Sequence, residues 1–170
     1  MNTTTRVLLA AALCVAVVGC ARKVREEPTT TAPPPSTVTQ PQQPTAGAYG
    51  PEDLDTDACL RQRVVYFDFD QESLRPEFQA AMACHAKYLR DRPSARITLE
   101  GNADERGSRE YNLGLGERRG NAVSSALQAN GGSAGSLTTV SYGEERPVCT
   151  ETSEDCWARN RRVEIVYTAR

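Results

Sequence analysis

The stretch from Leu99 to Gln128 constrains the fold most, because it joins a polar turn to a long helical pattern. Residues 102–107 are rich in side chains that hydrogen-bond the backbone in turns, and Ser108 is a suitable N-cap for a helix over 109–129. With about 100° between successive residues, this helix has one apolar face. The side chains on that face are Leu115, Ala122, Val123, Ala126 and Leu127.

Two polar side chains, Asn112 and Arg119, fall in the middle of that apolar face. A buried guanidinium group is costly unless it is paired. One interpretation is a structural ion pair between Arg119 and Asp104, the carboxylate in the preceding turn. The other is a pocket in which Arg119 binds a ligand carboxylate through both fork nitrogens and Asp104 binds a ligand ammonium. The spacing leaves both interpretations open.

Shorter patterns on both sides of this helix predict the rest of an α+β domain. Runs rich in β-branched and aromatic residues predict four strands, and Pro76 suits the first turn of a second helix. The order β-α-β-α-β-β favours two main helices packed on one face of a mixed four-stranded sheet. The predicted strands cover 63–69, 96–100, 137–142 and 162–168, and the predicted helices cover 76–90 and 109–129.

The run GNADERGSREYNLGLGERRGNAV resembles the signature of the OmpA-like peptidoglycan-binding domain, and within it the peptidoglycan-associated lipoprotein branch. Three further segments match this branch: YFDFD at 66–70, SYGEERP at 141–147 and ARNRRVEIVY at 158–167. The resemblance covers residues 60–170. It departs from the family at Asn102, where His is usual, and at Gly120, where Ala is usual.

The resemblance implies reversible binding of peptidoglycan through the diaminopimelate residue of its stem peptide. In this interpretation Asp104 binds the side-chain ammonium and Arg119 the carboxylate, while Asn112 and Asp70 bond the remaining polar atoms. Backbone N–H groups near Ala103 and at the start of the long helix favour the carboxylate. The expected site also contains Leu115, Arg161 and Arg162. Alternation places the last two on opposite faces, and which of them faces the ligand stays open.

Residues 1–19 are predicted to be a signal peptide, because the apolar run Val7–Val18 is too short to span a bilayer. Cys20 follows a small residue directly after this run, which is the bacterial lipobox pattern. The resemblance implies that Cys20 is lipidated and, since Ala21 rather than Asp follows, anchored in the outer membrane. An ordinary signal peptide with a chance cysteine is the alternative.

Residues 20–56 are predicted to be a disordered tether, because Pro, Thr and Gln dominate and almost nothing can be buried. At about 3.1 Å per residue, such a tether could reach on the order of 100 Å. The folded domain is then expected at 57–170, in the periplasm. Together these features imply a link between the outer membrane and the cell wall.

The sequence has six cysteines, of which Cys59, Cys84, Cys149 and Cys156 lie in the predicted domain. Four cysteines allow three pairings, and an oxidising periplasm favours disulfides. Proximity in the chain favours Cys149–Cys156, which leaves Cys59–Cys84. A zinc site is the alternative, but the chain lacks a C-x-x-C motif and contains a single histidine, His85, predicted on a helix surface.

The chain shows no sign of an enzyme, a cofactor or a nucleic-acid partner. It has 20 basic and 22 acidic side chains, whereas nucleic-acid binders usually have a basic excess. The sequence contains no nucleophile elbow, phosphate loop or metal-binding motif. The resemblance adds an alternative function, because this family also docks to periplasmic Tol proteins such as TolB. The chain would then be mainly an interaction hub of the Tol-Pal system in envelope constriction and cell division.

Overall fold

The computed structural model describes residues 47–170, so the predicted signal peptide, Cys20 and the predicted tether up to residue 46 lie outside the described residues. None of the helices in the described part is long and apolar enough to cross a membrane. The helices are α1 (Asp53–Thr56), α2 (Gln79–Asp91), α3 (Arg109–Ala129) and α4 (Glu154–Asn160), and the strands are β1 (Val64–Tyr66), β2 (Arg96–Asn102), β3 (Leu137–Gly143) and β4 (Arg162–Ala169).

The four strands form one mixed sheet in the order β1-β4-β2-β3. β4 runs antiparallel to both β1 and β2, while β2 and β3 are parallel and are joined through α3. In the centre of the sheet, Leu99 lies opposite Ile165 on one side and Thr139 on the other. The α+β class and the order of the main elements are therefore as predicted.

One face of the sheet shares a hydrophobic core with α2 and α3. On α2, the side chains of Ala81, Met82, Ala86 and Leu89 form a buried apolar stripe. Burial of this stripe against the sheet is the main favourable contribution to folding of such a layered domain. The core includes Val65, Ile97, Leu99, Val163 and Ile165 from the sheet and Phe78, Ala81, Met82, Ala86, Leu89, Val123 and Leu127 from the helical layer.

The glycines of α3 let this helix lie unusually close to the sheet. A Cβ atom on Gly116 or on Gly101 of β2 would overlap the backbone of the other residue, and a Cβ on Gly120 would overlap the side chain of Thr139. Glycine costs about 1 kcal/mol relative to alanine inside a helix. Close packing of α3 on β2 and β3 offsets that cost.

The structure corrects the predicted start of the folded part and the end of the first strand. Tyr49 and Leu54 are buried in the core, and the Tyr49 N–H donates to Asp91 Oδ2 at 2.8 Å, so the ordered packing begins before residue 57. β1 ends at Tyr66 rather than at residue 69, because the chain then turns and Asp70 adopts a positive φ of 55°. The short helices α1 and α4 were not predicted.

Both disulfides favoured from the sequence are present, Cys59–Cys84 and Cys149–Cys156. The prediction for His85 is wrong, because its side chain is fully buried. Its Nε2 lies 3.1 Å from the Gln62 carbonyl, which can only accept, so Nε2 carries the proton. Its Nδ1 then accepts from the Tyr167 hydroxyl at 2.7 Å.

His85 makes the fold sensitive to mild acid. Burial lowers the pKa of His85 from 6.5 to about 4, so the unfolded chain takes up a proton that the folded protein does not bind. The stability is therefore complete above pH 6.5 and falls as the pH drops towards 4. We expect the free energy of unfolding, measured with urea, to fall by about 2 kcal/mol between pH 7 and pH 5.

The matched variant is His85→Gln, which keeps polar atoms but does not titrate in this range. We expect it to be less stable at pH 7 and nearly independent of pH between 7 and 5. If the free energy of unfolding falls equally with pH in the variant and in the natural protein, a group other than His85 is responsible for the pH dependence.

Candidate functional site

A cavity of about 260 Å³ lies where the loop after β1, the loop after β2 and the N-terminal half of α3 come together. The Ser108 hydroxyl accepts from the Tyr111 N–H at 3.2 Å and caps α3 at this end, as predicted. This cap fixes where α3 begins and hence where the loop after β2 ends. The residues that line the cavity are Phe69, Asp70, Asp104, Arg106, Gly107, Tyr111, Leu115, Arg119 and Arg161.

Arg119 is fully buried in the wall of this cavity and links the loop after β1 to the end of β2. Its Nε donates to the Gln71 carbonyl at 2.8 Å, its Nη1 to the Asn102 carbonyl at 3.0 Å and its Nη2 to the Asp68 carbonyl at 3.1 Å. A guanidinium group has five N–H donors, so one on each Nη is still available. The fork is thus fixed with two donors left for a ligand.

No carboxylate within residues 47–170 lies at ion-pair distance from Arg119. The proposed ion pair with Asp104 is therefore not formed. Burial lowers the pKa of Arg119 to about 10, which still leaves the group charged at neutral pH. A buried charge with only neutral partners is unfavourable, so this arrangement favours an anionic ligand.

Asp104 is instead bonded by two other arginines. Its Oδ2 accepts from Arg106 Nη2 at 2.7 Å and from Arg161 Nη1 at 3.1 Å, and its Oδ1 accepts from the Arg106 N–H at 3.1 Å. Burial alone would raise the pKa of Asp104, but these hydrogen bonds outweigh it and hold the pKa below its usual value. Asp104 is therefore a fixed anion beside the Arg119 fork.

The helix α4 supplies the outer partners of these arginines. Glu154 accepts from Arg161 at 2.7 Å and lies 3.4 Å from Arg106. The Arg106 guanidinium is sandwiched between the rings of Phe69 and Trp157, at 4.0 and 4.3 Å from their centroids. Trp157 Nε1 also donates to Glu105 at 3.0 Å. The charges of Arg106 and Arg161 are thus balanced, and only Arg119 lacks a counter-ion among the described residues of the cavity wall.

Asp70 stands at the mouth of the cavity, where its carboxylate accepts a hydrogen bond from the Tyr111 hydroxyl. Its side chain is exposed, and no cation within residues 47–170 is paired with it. Asp68, two residues earlier, is paired instead with Arg75, whose Nη1 lies 3.6 Å from its Oδ1.

Five of the predicted site residues line the cavity: Asp70, Asp104, Leu115, Arg119 and Arg161. Ala103 and Asn112 are not among the lining residues, and their donors have partners within the protein. The Ala103 N–H donates to the Gly143 carbonyl at 2.8 Å. The Asn112 amide donates to the Asp104 carbonyl at 3.1 Å and to the Glu144 carboxylate. Both residues support the loop rather than the cavity surface.

The structure also separates the two candidate arginines. Arg161 points towards the cavity and donates from Nε to the Phe67 carbonyl at 3.0 Å. Arg162 points away and bonds Glu164 at 2.7 Å and the Arg146 carbonyl at 3.2 Å. The cavity residues not predicted are Phe69, Arg106, Gly107 and Tyr111. All four belong to quoted motifs, which were the available signal: Phe69 to the segment 66–70, and Arg106, Gly107 and Tyr111 to the run that begins at Gly101.

Comparisons with known proteins find a matching family and several relatives. Residues 66–161 match the OmpA family. The chain is 50% identical over 113 residues to the peptidoglycan-associated lipoprotein of Pseudomonas putida, covering 66% of this chain and 68% of that protein. It is 34% identical to the peptidoglycan-associated lipoprotein of Pasteurella multocida, covering 98% of this chain and 100% of that protein. The crystal structure of the peptidoglycan-associated lipoprotein from Burkholderia pseudomallei is 43% identical, with a TM-score of 0.66, over 68% of this chain and 98% of that one.

The disulfide Cys149–Cys156 fastens α4, and we expect its loss to loosen the site locally. Asn160 also holds this loop, through hydrogen bonds with Val148 and with Cys149. In the variant Cys149→Ser/Cys156→Ser, the free energy of unfolding should fall by about 2 to 3 kcal/mol, as expected for a short disulfide loop. Hydrogen exchange should accelerate mainly in the amides of α4.

The matched control is Cys59→Ser/Cys84→Ser, which opens a longer loop far from α4 in the sequence. It should lower the free energy of unfolding by about 3 to 4 kcal/mol while α4 keeps its protection relative to the rest of the domain. If α4 exchanges alike in both variants, the disulfide has no local role in the site.

Proposed function

The chain belongs to the OmpA family, among its peptidoglycan-associated lipoproteins, and on that premise we propose that its cavity binds the diaminopimelate residue of peptidoglycan without catalysis. The free end of this residue carries one ammonium and one carboxylate. The ligand is thus a compact zwitterion that a cavity of about 260 Å³ can take. No cofactor is needed for such binding.

The buried guanidinium of Arg119 is the observation that carries this proposal. It has two free N–H donors and lacks a counter-ion within residues 47–170. A ligand carboxylate would accept both hydrogen bonds and balance the buried charge, and such charge-assisted bidentate bonds are among the strongest in proteins. The carbonyls that fix the fork also remove the entropic cost of orienting it.

The ligand ammonium is proposed to lie between Asp70 and Asp104. Asp104 already interacts with Arg106 and Arg161, so its charge is partly balanced. Asp70 has only a neutral hydroxyl partner among the described residues and contributes the less compensated negative charge. In this arrangement Asp70 rather than Asp104 determines most of the selectivity for a cation at the cavity mouth.

In this proposal the chain links two layers of the cell envelope. Lipidated Cys20 anchors it in the outer membrane, and the segment after Cys20 spans the distance to the wall. Each site binds weakly, because few groups contact the ligand, and many copies on one polymer give a firm attachment. The link is mechanical and reversible.

A second candidate function is docking to periplasmic Tol proteins such as TolB. The observation that favours it is the set of exposed apolar side chains near the cavity. Phe69 and Tyr111 are 53% and 45% exposed at its mouth, and Tyr66 is 37% exposed. Exposed aromatic patches often mark protein interfaces. A partner bound there would compete with the wall for the same face.

The first test compares two ligands on the unchanged protein. The full-length protein in detergent is titrated with a tripeptide ending in diaminopimelate and with the same peptide whose side-chain carboxylate is amidated. An amide leaves the Arg119 charge unbalanced, so the amidated peptide should bind at least about tenfold more weakly. Equal affinities would contradict the role of Arg119.

The second test uses Asp70→Asn, which suits the positive φ of Asp70 and removes only the charge. We expect about threefold to tenfold weaker binding of the free peptide and less co-sedimentation with isolated sacculi. The control is Glu117→Gln, which removes an exposed carboxylate from α3 outside the cavity. If the natural protein binds neither peptide nor sacculi but still binds a Tol protein, the second candidate function replaces the first.

A further inference from the structure

A second concavity of about 250 Å³ lies next to the proposed binding cavity. We call it the side groove. The two concavities have Arg161 in common, and the chain segment from Tyr66 to Asp70 contributes residues to both. The side groove is lined by Tyr66, Phe67, Asp68, Arg75, Ala158, Arg159 and Arg161.

Three arginines give the side groove a positive character, but two of them are already paired. Arg75 lies 2.9 Å from Glu77 and 3.6 Å from Asp68, and Arg161 is bonded to Asp104 and Glu154. Arg159 is exposed and has no ion pair with any residue of 47–170. It is therefore the cation of the groove that is available to an anion.

The groove also borders an open edge of the sheet. The Phe67 N–H donates to the Arg161 carbonyl and the Arg63 carbonyl accepts from Ile165, so odd-numbered residues of this segment bond β4. By the alternation of antiparallel pairing, the backbone groups of Tyr66 face the free edge. An extended peptide lying there would find backbone partners beside the side chain of Arg159.

We propose that the side groove is a second subsite for the wall peptide, in which Arg159 binds a second carboxylate. The inference rests on the proposed function, because it places the neighbouring diamino acid in the cavity. The residue before that diamino acid in the stem peptide is a γ-linked glutamate with a free α-carboxylate. An extended peptide thus presents two anionic groups one residue apart, and the two concavities adjoin across Arg161.

The experiment measures the affinities of two proteins, the natural protein and Arg159→Gln, for two peptide ligands. The full-length protein in detergent is titrated in low-salt buffer with the tripeptide that contains glutamate and with its matched form that contains isoglutamine. The two ligands differ only at the α-carboxylate. The natural protein should bind the glutamate form about threefold more tightly, the size expected for a partly exposed charge pair.

In the variant Arg159→Gln, the difference in affinity between the two peptides should disappear, while the affinity for free diaminopimelate stays unchanged. The control Arg61→Gln removes another exposed arginine that is not part of the groove and should keep the difference. The subsite is overturned if the ratio of the two peptide affinities is the same in the natural protein and in Arg159→Gln. It is also overturned if the natural protein binds both peptides with equal affinity. Failure of the proposed function gives a distinct result, since free diaminopimelate would then not bind.

Discussion

The buried guanidinium of Arg119 is the interaction on which the site depends. Its three hydrogen bonds reach the carbonyls of Asp68, Gln71 and Asn102, which belong to the loop after β1 and to the end of β2. These segments are far apart in sequence and have no regular secondary structure to align them beyond the strand ends. A single side chain on α3 therefore bonds both segments.

Arg119 differs from most buried charged groups, because its hydrogen-bond partners are neutral. Most buried ions are neutralised by an opposite charge, which leaves nothing for a ligand. Here Asp104 and Glu154 neutralise Arg106 and Arg161, and those pairs leave Arg119 with backbone carbonyls alone. Among residues 47–170, Arg119 thus has no carboxylate at ion-pair distance. Its charge is held by neutral acceptors and, from farther away, by Asp104 and Asp70.

Much of this domain could be predicted from the sequence, because the signals were local. The bounds of α3 follow from the Ser108 cap and from Gly131, whose positive φ of 88° ends the helix. The burial of His85 was missed because it depends on a contact distant in sequence, with Tyr167, 82 residues away. The short helix α4 was missed although its contacts are local: the Ser153 cap, the disulfide and the Asn160 hydrogen bonds.

Two residues expected at the site, Asn112 and Ala103, do not line the cavity, again because of partners distant in sequence. Asn112 and Ala103 lie in a motif that points to a ligand, but their donors are taken by Glu144 and Gly143, which no local pattern relates to them. The expected residues that do line the cavity came from two kinds of signal. Arg119 was singled out because its charge conflicted with burial on α3, whereas Asp70, Leu115 and Arg161 came from the family motifs.

Asp70 shows how narrow the sequence choice at such a site becomes. Its backbone has a φ of 55°, a conformation that glycine, asparagine and aspartate adopt with little strain. Of these three, only aspartate carries a negative charge. Glutamate would keep the charge but would strain the turn. Backbone conformation and electrostatics thus restrict this position independently, and aspartate is the amino acid that meets both requirements.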